Sequence, residues 1–139
     1  MALITFEDLP STNTPLNASN LNNNFEELEE KSEWKTLETN VSPSTNVNLP
    51  SSYNEIQVEI NVNTSSTTTT NFITLILSKA QIDTITGSNY KNFRTGASYS
   101  SSFYFGVTVR AYATYISLTE VYNSGSLVND YSTMNVYYR

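Results

Sequence analysis

The spacing of hydrophobic positions changes once along this chain, near residue 32. Before that point Ala18, Leu21, Phe25 and Leu28 follow one another at spacings of three, four and three. This is the seam of a helix that meets a partner along a narrow stripe. Asn17 or Ser19 can cap the helix, and Pro10 and Pro15 hold the preceding segment extended. The next seam positions are Ser32 and Lys35, so the stripe stops after about two heptads. Beyond it the period falls to two. Ile56, Val58, Ile60 and Val62 alternate with Glu55, Gln57, Glu59, Asn61 and Asn63, which predicts a strand with one face buried and one wet. Phe103, Phe105, Val107 and Val109 alternate in the same way with Tyr104, Gly106, Thr108 and Arg110.

Shorter patterns predict strands at Trp34 to Leu37, Thr45 to Leu49, Tyr90 to Arg94, Tyr112 to Val121 and Thr133 to Tyr138. The nearly unbroken apolar run Phe72 to Leu77 reads as a central strand. Residues 64–70 read as a loop or hairpin tip, 79–85 as a single helical turn, and Gly87–Asn89 and Asn123–Gly125 as turns. About eight short, evenly spaced strands, without the long helices that parallel strands require, favour antiparallel pairing. The expected fold is mainly β, a short N-terminal amphipathic helix followed by an antiparallel, jelly-roll-like β-sandwich head. Residues 1–32 form the anchoring arm and helix, and 33–139 the β-sandwich domain.

Composition sharpens this division. Ser, Thr and Asn number 19, 19 and 18, while charged residues make up only 14%, a balance suited to exposed sheet faces and hydrogen-bonding loops. Residues 1–39 hold eight acids and two bases, and 40–139 hold five of each. The net charge of −6 therefore sits entirely on the first 39 residues. A head without clustered Lys and Arg is not expected to bind nucleic acid. No basic region followed by an apolar run marks a signal peptide at the N-terminus, and no stretch has the length and apolarity of a membrane-inserting helix. The Asn-X-Ser/Thr matches at Asn17, Asn40 and Asn63 read as chance in so Asn-rich a chain.

The helix has a second implication. Glu26, Glu27, Glu29 and Glu30 repel one another on its solvent faces, and so short a helix is marginal in water. Its stripe must be covered by copies of itself, by the β-domain or by a larger particle. Association is the expectation, with Leu21, Phe25, Leu28 and Trp34 as the oligomer and anchor residues.

Catalytic chemistry finds few of its usual groups. The chain has no His and no Cys, which removes the commonest general base, the thiolate nucleophile and the usual soft metal ligands. A Ser–Lys pair would have to use Lys79 or Lys91, with no supporting spacing. Glu55 and Glu59 share one strand face at a separation of ~13 Å, too far apart for a glycosidase pair. Asp83 and Asp130 stand alone, so no metal site and no cofactor is expected, and the chain reads as a non-enzyme. The ten Tyr and six Phe are the remaining resource. Aromatic faces beside Asn and hydroxyl side chains suit carbohydrate, with Tyr90, Tyr99, Tyr104 and Tyr112 as the candidate ligand surface. The competing reading packs these rings across strands or between subunits. Arg94 and Arg110 either meet an anionic sugar or pair with Glu55, Glu59 or Glu120.

The phrase Pro15-Leu16-Asn17-Ala18, continued by Asn20-Leu21-Asn22, resembles the N-terminal segment of small virion proteins of tailed bacteriophages, in which it opens an anchoring helix. Leu49-Pro50, Tyr53, Glu55-Ile56 and Val58-Glu59, then Phe93-Arg94-Thr95-Gly96, then Val136-Tyr137-Tyr138-Arg139, are similar to C-terminal domains of phage fibre and baseplate proteins. The resemblance implies a short, homotrimeric, fibre-like virion appendage. Its residues 1–32 would hold other virion proteins, and its head would serve host-surface attachment, for example to a glycan, or decoration of the shell. Its place would be the virion. The alternative from the residues alone is a carbohydrate-binding β-sandwich module outside any virion.

Overall fold

The computed structural model describes residues 23–29, 33–62, 71–100, 103–129 and 132–139, with backbone alone at 71, 97–100, 103 and 104. Two antiparallel sheets carry the fold. In sheet 1 the order is β1 (Lys35–Val41), β9 (Thr133–Tyr138), β3 (Glu55–Val62) and β4 (Asn71–Ser78). In sheet 2 it is β2 (Asn46–Asn48), β7 (Tyr115–Asn123), β6 (Phe103–Ala111) and β5 (Lys91–Ser100), with β8 (Ser126–Leu127) paired to β7. The chain crosses between sheets from β1 to β2, from β2 to β3, from β4 to β5 and from β8 to β9. That winding of the terminal strands is the jelly-roll-like part. The β3–β4 hairpin and the β5–β6–β7 meander each stay within one sheet.

Alternation decides which side chains face inward. β3 buries Ile56, Val58, Ile60 and Val62 and leaves the residues between them half-buried. β6 buries Phe105, Val107 and Val109, β7 buries Ile116, Leu118 and Val121, and β9 buries Met134 and Val136. These residues of both sheets form one contiguous cluster, so the sheets cover each other's apolar faces as a sandwich. The short α2 (Lys79–Asp83) adds Ile82 to that core. Ser78 and Gln81 close a reciprocal capping box at its start, and Lys79 pairs with Asp83 one turn on at 2.6 Å.

Phe72 to Leu77 departs from expectation. β4 lies at the edge of sheet 1 rather than at its centre. Its run is unbroken because both faces are apolar. Ile73 and Leu77 are buried, while Phe72 and Ile76, on the other face, are 58% and 49% exposed.

A second departure shapes sheet 2. Thr108 and Val109 of β6 oppose Glu120 and Leu118 of β7, leaving Thr119 as an extra residue, a β-bulge. The bulge shifts parity, so Val121 enters the core while Glu120 and Tyr122 join the outer face. The Thr119 hydroxyl donates to the Thr108 carbonyl at 3.1 Å. The Asn129 amide extends the pairing of β7 on its other edge, next to β8, where Val128 N also donates to Val121 O. Its Oδ1 accepts from Val121 N at 2.8 Å and its Nδ2 donates to Thr119 O at 3.1 Å. The β7–β8 turn has Ser124 at φ 48° and Gly125 at φ 85°, the left-handed pair that a tight hairpin requires.

Residues 23–29 form helix α1. This helix, Trp34 and Arg139 belong to a different compact unit from the strands. Phe25 and Leu28 on α1 are 65% and 51% exposed. The Arg139 guanidinium lies 4.6 Å from the centre of the Trp34 ring. Ala18, Leu21 and the 64–70 segment lie outside the described residues.

Candidate functional site

The outer face of sheet 2 gathers most of the described tyrosines and arginines of the head. Two patches lie on it, one on each side of the Thr119 bulge.

The first patch sits where β6 turns into β7. Tyr112 N donates to Tyr115 O at 2.8 Å, closing the turn. The Tyr112 and Tyr115 rings stack with centroids 4.3 Å apart and planes at 21°. Tyr90, just before β5, tilts against Tyr112 at 5.6 Å and stays 49% exposed. Arg110 caps the group, its guanidinium carbon 4.3 Å from the Tyr90 ring centre, and its Nε donates to Asn92 Oδ1 at 3.1 Å. The cluster so formed is aromatic and edged by a cation. Desolvation, and then a hydrogen bond with Tyr112, push the Tyr115 hydroxyl above the usual tyrosine pKa, while Arg110 pulls it the other way.

The second patch is a depression of about 390 Å³ whose lining includes Arg94, Gly106, Thr108, Glu120 and Tyr122. Register explains it. Gly96, Gly106 and Tyr122 stand side by side on β5, β6 and β7, and Arg94, Thr108 and Glu120 form the next outward-facing row. Gly96 is required by close approach, because a Cβ there would meet the Phe105 carbonyl oxygen at 2.3 Å. Among the described residues a Cβ at Gly106 would meet nothing within 4 Å, so they leave the floor as bare backbone. Thr108 donates its hydroxyl to Glu120 Oε2 at 3.1 Å. Among the described residues Arg94 has no hydrogen-bond or ion-pair partner.

The structure divides the four tyrosines read from the sequence. Tyr90 and Tyr112 come together. Tyr99 and Tyr104 lie at the far end of the β5–β6 hairpin, where the register shifts between Ser98 and Ser100. Eight residues of strand separate Tyr104 from Tyr112, roughly 25 Å, and the side chains of Tyr99 and Tyr104 lie outside those described. Tyr115, Tyr122, Gly106 and Glu120 were not singled out as ligand residues from the sequence. Their signal was the apolar spacing of Ile116, Leu118 and Val121, two then three, which breaks period two and marks the bulge. Among the described residues Arg94 and Arg110 form no cross-strand ion pair with Glu55, Glu59 or Glu120. Arg110 stacks on Tyr90 and Glu120 is held by Thr108, which corrects the expected pairing. No group of three or more acidic residues that could hold a metal ion occurs among the described residues. Of the residues expected at the anchor, Phe25 and Leu28 lie on α1, Trp34 stacks with Arg139, and Leu21 is outside the described residues. Compared with known proteins, the chain matches no family model, no curated protein and no solved structure.

Proposed function

We propose that this chain is a non-enzymatic attachment protein. It is a short, homotrimeric appendage of the kind that the resemblance to tailed-phage virion proteins implies. Residues 1–32 join it to a particle, and the sandwich head turns the outer face of sheet 2 toward a host surface. The observation that carries this reading is the exposure of Phe25 and Leu28, 65% and 51%, on an acidic helix. Two large apolar side chains one turn apart, left in water by a single chain, are what a self-associating seam requires. The composition agrees, since a chain with no His and no Cys lacks the usual means of activating a nucleophile.

Molar mass in solution tests the reading. By sedimentation velocity the full chain is expected at three times its 15.6 kDa, and the double substitution Phe25→Ser, Leu28→Ser is expected at one chain mass. A wild-type chain that stays monomeric at high concentration would remove the oligomeric appendage. The Tyr90–Tyr112–Tyr115 face with Arg110 favours one second reading, a monomeric carbohydrate-binding module, and the same measurement separates the two.

A further inference from the structure

Gly106 has no structural reason to be glycine. It lies inside β6, where glycine weakens a strand, its φ is not left-handed, and among the described residues no backbone or side chain comes within 4 Å of where its Cβ would stand. Its cross-strand neighbour Tyr122 does not fill that space, so the aromatic does not cover the glycine, the usual repair for a bare position in a sheet. A central strand left open beside an aromatic ring is the arrangement expected where a ligand comes down onto the backbone.

We propose that the Gly106 depression binds one residue of an acidic saccharide, with its ring on the Gly106 backbone beside Tyr122, its carboxylate on Arg94 and its hydroxyls on Glu120. This rests on the reading of sheet 2 as the attachment face and names the ligand class for it. Size comes first. Arg94 and Glu120 are separated by two strand spacings, about 10 Å, and the two rows lie about 7 Å apart, the footprint of one hexose ring. Chemistry follows. Arg94 is exposed and has no partner among the described residues, and its planar guanidinium matches a carboxylate with two parallel bonds. Glu120 is oriented by Thr108 through Oε2, which leaves Oε1 to accept from ligand hydroxyls. Tyr122 offers an apolar flank for sugar C–H groups. Field agrees as well. Residues 40–139 carry five acids and five bases, so the head does not repel an anion as the acidic first 39 residues would.

Calorimetry on the full chain with two matched pairs of probes tests this: trigalacturonate against its methyl ester, and sialyllactose against lactose. At least one acid is expected to bind ~10-fold or more tighter than its neutral partner, the loss of a charge-assisted bidentate pair, and to weaken as salt is raised. Arg94→Gln is expected to bring the acid down to the neutral level. Gly106→Val is expected to abolish binding while leaving the thermal midpoint in place, because the new side chain enters open space. Amide chemical-shift changes on the unsubstituted chain are expected at Arg94, Gly106, Glu120 and Tyr122, a readout independent of how the variants fold. Absence of acid preference in both pairs overturns the proposal, as do unchanged affinity in a folded Gly106→Val chain and shift changes confined to other residues. Failure here with an oligomeric mass leaves the appendage reading standing. Acid binding by a monomer overturns that reading and keeps this site.

Discussion

Two glycines that face each other across β5 and β6 have opposite reasons to be there. Gly96 is held by sterics, because an added methyl would sit 2.3 Å from a backbone oxygen. Gly96→Ala is therefore expected to cost about 2 kcal/mol, the range of an overpacked site, as a lowered urea midpoint. Gly106→Ala is expected to be neutral or to stabilise by about 0.5 kcal/mol, since it removes unfolded-state freedom without a clash. The contrast between two single-methyl additions checks the geometry of the depression before any ligand is added. Tyr115 gives a residue-scale test by pH. Its folded pKa lies above that of the unfolded chain, through desolvation first and the Tyr112 hydrogen bond second. An acid shifted upward contributes stability that is complete below the unfolded value of about 10 and is lost as pH rises through the folded value. Urea midpoints should fall as pH climbs past about 10. Tyr115→Phe should remove part of that slope and leave the part due to Tyr53, whose pKa burial also raises.

At the level of strands, legibility depended on whether one face was wet. β3 and β9 were readable almost residue for residue. Ile56, Val58, Ile60 and Val62 alternate strictly, and β9 spans Thr133–Tyr138 as expected, because a half-buried antiparallel strand leaves period two in its sequence. β4 was readable as a strand but not in its place. Phe72 and Ile76 made an edge look like a centre, since a hydrophobicity pattern records side chains and not which neighbours the backbone has. An uncharged apolar edge invites pairing with another chain. Ile76→Lys is expected to raise the concentration at which light scattering begins, with no loss of thermal stability because the side chain is already half in water. The β7 bulge was the hardest element to read. Glu120 and Tyr122 reach the outer face only because Thr119 is extra, and the residue that secures it, Asn129, follows nine positions after Glu120 in a separate segment. Asn129→Ala removes two hydrogen bonds from half-buried backbone and is expected to cost about 1–3 kcal/mol. It should also blur the chemical shifts of Glu120 and Tyr122, which a loss of stability elsewhere would not select.

Across the whole molecule, the core and the seam draw on separate parts of the chain. Every described residue of the buried cluster lies between Val41 and Val136, so the head has a hydrophobic core of its own. The exposed Phe25 and Leu28 lie entirely outside that cluster, and the excess acid of the first 39 residues lies with them. Folding and association should therefore come apart experimentally. A chain beginning at residue 33 retains Trp34 for Arg139 to stack on and all of the strands. Its thermal midpoint by circular dichroism is expected within a few degrees of the full chain's, the scale on which ~1 kcal/mol would register in a domain of this size. Its mass is expected to fall to that of a monomer. If the seam instead stabilised the sandwich through assembly, the midpoint of the full chain would rise with protein concentration and the shortened chain would melt far lower. Coincident midpoints with unequal masses are the outcome that a self-sufficient head on a separate adhesive arm requires. A shortened head that unfolds at room temperature would mean that the sandwich core does not hold the fold alone.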